Sequence, residues 1–479
     1  MEAGVFMPTA DPVPHEKTDL SARSPALAKI NKFLTTPQYI ALVMILTLLS
    51  NVLALEVAVY SIFVLTAVYI CLFGADLLPL MPIFLGCYFA PSVVNNPGRS
   101  EDTVFSGGAG IYLGVLGALL FAACLYRVIR DRKRYAAQKY PLLWGMVILS
   151  IAYLLGGIGS LGYRQVAPRN LLFAFLQGAA IWAPYLLFGG GVDWKHVRKD
   201  YFAWTGFFAG GVLLCQLGWI YLSNDIIVDG VIHRYQIYTG WGIHNNLGGM
   251  LVMMIPFAFY LSTKYRKGWL GTVGGSAFLV GVIMSCSRNA MLTGSAIYLM
   301  CLILMLYYAS NRRANTIAAL VCIFAVMTAV ILFSQQLLRL FSDLLAMGFD
   351  PNSRDSIYDR GVKLFCKYPI FGGSFFSTEY QAWGWSTTES FTGFFPPRWH
   401  NTFVQMLASC GIVGMLAYLL HRAQSFCLIL KKRNREKNFI GLSILALLIC
   451  SLFDCHFFNL GPTIFYSMAL VFAEKCHEA

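Results

Sequence analysis

The sequence predicts an all-α polytopic membrane protein of about 12–14 transmembrane helices, with one long extracytoplasmic loop that contains short helices. Three observations carry this. Apolar residues make up 57% of the 479 and charged residues only 12%, and the mean hydropathy of +0.62 lies far above that of a soluble enzyme of this length. Nearly uncharged runs of roughly 17–21 residues recur, each long enough to cross about 30 Å of hydrocarbon at about 1.5 Å per residue. Lysine and arginine fall in alternate connections, as they do when short cytoplasmic loops hold the positive charge.

A polar tail (residues 1–38) comes first; it is not a cleavable signal peptide. The apolar runs follow at 39–55, 57–73, 77–93, 109–126, 142–160, 170–190, 202–222, 242–261, 269–286, 290–308, 317–333, 402–420, 438–452 and 457–472. Pro79 and Pro82 interrupt the third and make it the weakest span. The chain thus divides into the tail, eleven spans over 39–333, an outer loop over 334–400, three spans over 401–473 and a short tail over 474–479. Basic clusters stand at Arg127–Lys139, Lys195–Lys199, Lys264–Lys267, Arg312–Arg313 and Lys431–Lys437. Fourteen crossings put all of them inside with both termini. The formal charge of +13 then reflects topology and attraction to anionic lipid, with no case for nucleic acid as a partner. The thirteen cysteines mostly sit in apolar runs as small hydrophobes. No C-x-x-C pair or metal spacing occurs. Cys366 and Cys455 both fall outside and could in principle pair, but two lone cysteines make no case for a disulfide.

The outer loop is too long for a mere connection. Residues 356–367 read as an amphipathic helix that ends at the turn Pro369-Ile-Phe-Gly-Gly373. Phe371, Phe375, Phe376, Tyr380, Trp383, Trp385, Phe391, Phe394, Phe395 and Trp399 crowd its second half, as a platform for sugar rings or a lipid tail, or as an interfacial belt. Pro396 and Pro397 forbid helix before His400, so the twelfth span starts near Asn401, with Asn401 or Thr402 as its N-cap. His400 sits at the mouth of that span. Gly411, about three turns on, and Gly414 lie on its face as small residues for close packing of a helix or an isoprenoid chain. Arg288 occupies the tight outer turn between the ninth and tenth spans, Arg234 precedes the eighth, and Arg354 and Arg360 lie in the loop. Each alone reads as a snorkelling or ion-paired residue and His400 alone as an interfacial ring. Several arginines beside a histidine on the translocated side point to an anionic ligand. Asp454 and His456, at the last outer turn, read as helix caps or as groups that orient an acceptor.

"HNTFVQMLASCGIVG" fits the H-[NSQ]-x9-G-x-x-[GTY] signature of the O-antigen ligase and O-antigen polymerase superfamily at His400, Asn401, Gly411 and Gly414. "SCSRNAMLTG" is similar to the S-R-[GA]-type turn of that family, with Asn289 in place of the usual small residue. "SRDSIYDRGVKLFCKYPIFGGSFF" resembles its loop helix, with Ser353 where glycine is common, and "GWGIHNNLGGM" its N-x-L-[AG] helix start. The resemblance covers roughly 234–414. It implies a GT-C-like glycosyltransferase of the bacterial inner membrane, active on the outer face, that passes a glycan from an undecaprenyl-diphosphate carrier to a glycan or lipid acceptor without metal or other cofactor. By position it makes His400 and Arg288 catalytic and Arg234 a second diphosphate ligand. Arg354, Arg360, Asn401 and Trp399 complete the candidate substrate-binding set, and a chain-length regulator is a candidate protein partner.

The residues suit this chemistry on their own terms. A neutral imidazole accepts the proton of an attacking hydroxyl, and guanidinium groups stabilise a leaving diphosphate. Inversion at the anomeric carbon is expected. Ligation and polymerisation share these motifs. The competing class is a polysaccharide transporter or flippase, which usually carries charged groups at the midplane; the predicted spans are almost free of them.

Overall fold

Inside a bilayer a backbone must satisfy its own hydrogen bonds, so apolar runs become helices. The computed structural model describes residues 25–92, 107–159, 168–223, 226–228, 231–335, 337–339, 342, 354–376 and 398–475. Its helices are α1 Pro25–Leu34, α2 Pro37–Leu53, α3 Glu56–Phe73, α4 Leu80–Phe89, α5 Gly107–Arg130, α6 Arg132–Ala137, α7 Leu143–Gly159, α8 Pro168–Gly191, α9 Tyr201–Ser223, α10 His244–Lys264, α11 Trp269–Met284, α12 Arg288–Tyr308, α13 Arg312–Leu332, α14 Arg354–Lys367, α15 Thr402–Leu430, α16 Arg435–Phe453 and α17 Leu460–Lys475. A two-residue antiparallel ladder, Ile227–Val228 against Val231–Ile232, precedes α10. The protein is an all-α polytopic membrane protein. Every predicted apolar run coincides with a helix, and eight of these helices are long and apolar enough to cross a membrane, or nine if the bent pair of α1 and α2 is one span.

Three further apolar helices, α4, α7 and α11, are shorter, and α4 is the one enclosed by protein along most of its length. The third run contains only the ten residues of α4, yet it travels as deep as its neighbour. The Tyr39 hydroxyl, at the start of α2, donates to the Pro79 carbonyl at 3.1 Å. Ser50, near the end of α2, donates to the Ala90 carbonyl at 3.0 Å, and Glu56 accepts from the Ser92 amide at 2.8 Å. Residues 79–91 therefore run alongside α2 from end to end. Most of α4 is buried, so its proline-capped ends find partners that lipid does not supply. At the centre lies α10, buried along nearly its whole length among α9, α11, α12 and α16. Its Phe257 meets Phe202 and Phe465 edge-on, and Phe202 stacks on Phe465 and Phe472.

The basic clusters converge on one end. Arg127 donates to the Gly74 carbonyl at 2.6 Å and also pairs with Asp131. Asp200 takes both Arg198 at 2.9 Å and Lys264 at 3.3 Å. Ser310 donates to the Tyr265 carbonyl, Asn438 to the Tyr308 hydroxyl, and Lys475 to the Lys139 carbonyl. His400, Arg288 and Arg234 lie at the ends of elements that point the other way, so the structure separates a basic face from the candidate site.

The twelfth run differs from expectation. Its helix extends to Leu430 but is broken at Gly411, whose φ of 64° and ψ of −161° are not helical. Gly411 is thus not three straight turns below His400, and the Phe403 and Tyr418 rings come within 6.0 Å of each other across the bend. The break is filled by the loop after α14. Gly373 and Ser374 donate to the Ala408 and Ser409 carbonyls at 2.7 and 3.1 Å, while Ile412 and Val413 donate to the Pro369 and Ile370 carbonyls at 2.8 and 3.2 Å. The carbonyls and amides freed by the kink are therefore satisfied by Pro369–Ser374. Gly411 and Gly372 both have positive φ and approach each other so closely that a Cβ on either would overlap the backbone of the other segment. The two glycines serve loop insertion rather than an isoprenoid stripe; at Gly414 a Cβ would meet the Cys410 and Met406 side chains across the same bend. Cys366 and Cys455 are free thiols, one exposed and one buried, so the disulfide is absent.

Gly411→Ala should destabilise the protein by at least about 2 kcal/mol, through backbone strain plus overlap with Ile370. Gly114→Ala in α5, where a Cβ meets nothing within 4 Å, should be neutral or slightly stabilising. Thermal unfolding of both variants in detergent checks the pair.

Candidate functional site

The site forms where the break in α15 and the last outer turn meet. Asn401 caps α15: its Oδ1 accepts from the Phe403 and Val404 amides at 2.8 and 3.2 Å. Its Nδ2 donates to the Leu452 carbonyl at 2.8 Å, so the residue ties the start of α15 to the end of α16. His400, just before the cap, adopts φ 51°, a left-handed conformation that a non-glycine residue rarely takes. That turn directs its ring towards Asp454. Nδ1 of His400 lies 3.2 Å from Oδ1 of Asp454, with the imidazole 13% and the carboxylate 7% exposed. The Tyr358 hydroxyl donates to the His400 carbonyl at 3.4 Å, and Arg354, one turn earlier on α14, donates to the Phe453 carbonyl. Arg360 lies further along that helix and is half-buried.

Trp399 is not an exposed binding ring. Only 3% exposed, it packs with Ile357, Leu364 and Ala408 in a small core that holds α14 against α15, and its amide donates to Gln405 Oε1 at 3.0 Å. Phe375 and Phe376 are buried too, against Tyr153, Phe173 and Phe458. They are core rather than platform, whereas Phe371 is exposed. Tyr380, Trp383, Trp385, Phe391, Phe394 and Phe395 lie outside the described residues.

The arginines arrive on α10 and α12. Cys286, with φ 53°, ends the approach from α11, and extended Ser287 starts α12 at Arg288. Ser287 donates to Asn245 Oδ1 at 2.9 Å, and Asn289 donates to the Cys450 carbonyl at 3.1 Å; the turn is thereby pinned to both α10 and α16. Arg234 sits in a 3-10 turn, Arg234–Gln236, that leads into α10. His244, the first residue of α10 and 3% exposed, lies within electrostatic reach of Arg234, Arg288, Arg354 and Asp454 alike. Charges from four other stretches of chain thus act on His244.

Asp454 is the anionic member. Burial alone raises its carboxyl, but the hydrogen bond and charge of His400, with His456 and Arg398, outweigh that and hold it well below the usual carboxylate range. It accepts the Cys455 amide at 2.9 Å as a local cap as well. His456 is buried, and its imidazole is held below its ordinary value by burial, which Asp454 opposes and Arg398 and His400 reinforce. Its ring lies over α10, where a Cβ on Gly249 would stand 2.8 Å from Cε1. Among the described residues, no three His, Cys, Asp or Glu side chains are grouped to hold a metal ion.

His244, and the contact of Asp454 with His400, escape sequence reading. His244 stands in "GWGIHNNLGGM", so its place at a helix start was a usable signal. Nothing local links Asp454 to a residue 54 positions earlier.

This is a membrane bundle with a histidine–aspartate pair and converging arginines at one end. Residues 273–419, from α11 through α14 into α15, match the model of a family described as O-antigen ligase. The match supports the O-antigen ligase/polymerase superfamily as the family of this chain, and with the apolar helices it supports an integral inner-membrane protein. Arg288, Arg354, Arg360, His400 and Asn401 fall within the matched segment; Arg234, His244 and Asp454 fall outside it. A search of curated proteins gave no match.

Because Asp454 titrates lower when folded, its stabilisation is complete above the unfolded carboxylate range, near about 4, and fades as pH falls through the lower folded value. Asp454→Asn should therefore lower stability at neutral pH and flatten the acid limb of the stability–pH curve, measured by thermal unfolding between roughly pH 3 and 7.

Proposed function

We propose that this protein is an inverting glycosyltransferase that moves a glycan from an undecaprenyl-diphosphate carrier to an acceptor hydroxyl on the outer face of the inner membrane, with both termini cytoplasmic. The observation that carries the proposal is the His400–Asp454 pair, with Arg354 held on the adjacent Phe453 carbonyl and with Asp454, Arg234 and Arg288 all within electrostatic reach of His244. Asp454, as a carboxylate, accepts from Nδ1–H of His400 and so assigns the tautomer that carries its lone pair on Nε2. Nε2 takes the hydroxyl proton as the acceptor oxygen bonds to the anomeric carbon. The bond from that carbon to the diphosphate oxygen breaks, and its electron pair leaves with the carrier. Asp454 stabilises the imidazolium that forms, while Arg288 and Arg234 face the growing negative charge of the leaving group. Direct displacement at one face gives inversion. This chemistry places no demand on a metal, because guanidinium groups supply the positive charge.

The basic face described above supports the orientation, since lysine and arginine collect on the cytoplasmic side. Ligation onto a lipid acceptor and polymerisation onto another carrier-linked unit use the same steps, and a chain-length regulator belongs only to the second. Among the described residues, Arg422 is a buried charge well inside a span, α15. It is not in contact with the arginine cluster and adds no coupling-ion carboxylate, so transfer remains the better reading than transport.

With a purified lipid-linked donor, His400→Ala and Asp454→Asn should each slow transfer by about 10²–10⁴-fold, and Arg288→Ala by about 10²–10³-fold, with unfolding temperatures showing that the variants are folded. Unchanged transfer by His400→Ala removes the mechanism. In a one-turnover assay the product should carry the opposite anomeric configuration to the donor; retention contradicts direct displacement. Product length separates single ligation from repeated addition.

A further inference from the structure

Arg422 lies past the break in α15 and is 5% exposed. Its guanidinium stands 3.8 Å from the Phe457 ring centroid, 4.6 Å from that of Tyr466 and 4.8 Å from that of Tyr418. The rings cover its faces; none of Nε, Nη1 and Nη2 makes a well-formed hydrogen bond, and the polar groups it meets are the neutral side chains of Tyr418 and Tyr466. Among the described residues no carboxylate is within ion-pair distance of it. Neighbouring His421 does not compensate. Ser425 donates to the His421 carbonyl at 2.8 Å, so the Tyr466 hydroxyl must give its proton to Ser425 Oγ, 2.8 Å away. Nε2 of His421 then donates to the Tyr466 oxygen at 3.0 Å, so that nitrogen offers the guanidinium no acceptor. The Tyr153 hydroxyl, a further buried donor without a partner, is within electrostatic reach of Arg422.

A full positive charge in the core of a membrane bundle, met only by neutral side chains, is strongly disfavoured unless an acceptor with negative charge meets it. Stacking on rings and contact with neutral hydroxyls stabilise the cation but leave its charge without a counter-ion. Water satisfies donors without neutralising charge. We propose that the Arg422 guanidinium, caged by Tyr418, Phe457 and Tyr466, binds a monatomic inorganic anion, chloride, inside the helix bundle. A monatomic ion suits a site walled by three rings because it imposes no direction on its donors. The site is separate from the catalytic reading, but Phe457 belongs to the same 3-10 turn as His456, His456–Phe458. An anion there steadies the turn that follows Asp454.

The full-length protein in detergent, exchanged into sodium gluconate and titrated with sodium chloride at constant ionic strength, should show an unfolding temperature that rises and saturates. Sodium bromide should replace chloride. Arg422→Gln should abolish the dependence. Anomalous scattering from bromide in crystals of the wild type provides a check that does not need the variant to fold, with a peak expected beside the guanidinium. An unfolding temperature independent of halide, as a water-filled site gives, overturns the proposal. So does a dependence that persists in Arg422→Gln, or a bromide peak elsewhere.

Discussion

The contact between His400 and Asp454 is the constraint on which the site depends. Neither residue can hold it alone: one precedes α15, the other ends α16, and both are partly shut away from water. Charge alone is a poor positioning device, because two side chains on loose loops spend much of the attraction in conformational entropy. Here the backbone does the positioning. Asn401 fixes the start of α15 to the Leu452 carbonyl, Arg354 fixes α14 to the Phe453 carbonyl, and Tyr358 holds the His400 carbonyl itself. These hydrogen bonds surround the pair and leave it little freedom.

The broken helix explains how a loop supplies such rigidity. A straight α15 would leave α14 with no backbone to engage. At Gly411 the helix opens, and the segment after α14 inserts and completes the ladder. The loop helix is thereby clamped at its far end by the break and along its side by Trp399 and Leu364. Gly372 and Gly411 are needed together because each has the conformation and the bare surface that the other requires. The long outer segment thus becomes part of the bundle wall.

Much of this was legible in the sequence. The apolar runs, the basic alternation, the amphipathic helix after Arg354 and the cap at Asn401 follow from local rules of length, charge and hydrogen bonding. What was not legible depends on contacts between distant segments. A glycine in an apolar run reads equally as a packing surface or as a break, and only the presence of Pro369–Ser374 decides between them. Topology places Cys455 outside but does not reveal that it is buried beside Gln405. Arg422 was hidden because a hydropathy boundary drawn near residue 420 ends the span before it, whereas aromatic side chains from three segments let the helix carry a charge through Leu430. His244 was visible in its motif but acquired meaning only when four other charged residues met around it.

The central claim is geometric, namely that His400 presents Nε2 to the acceptor hydroxyl while Asp454 holds Nδ1. A structure determined by electron cryo-microscopy with an unreactive lipid-linked donor analogue and an acceptor bound tests it most directly. The account predicts Nε2 within about 3 Å of the acceptor hydroxyl, with the carrier diphosphate on Arg288 and Arg234. A hydroxyl held by another residue, with the His400 ring turned away from it, contradicts the account.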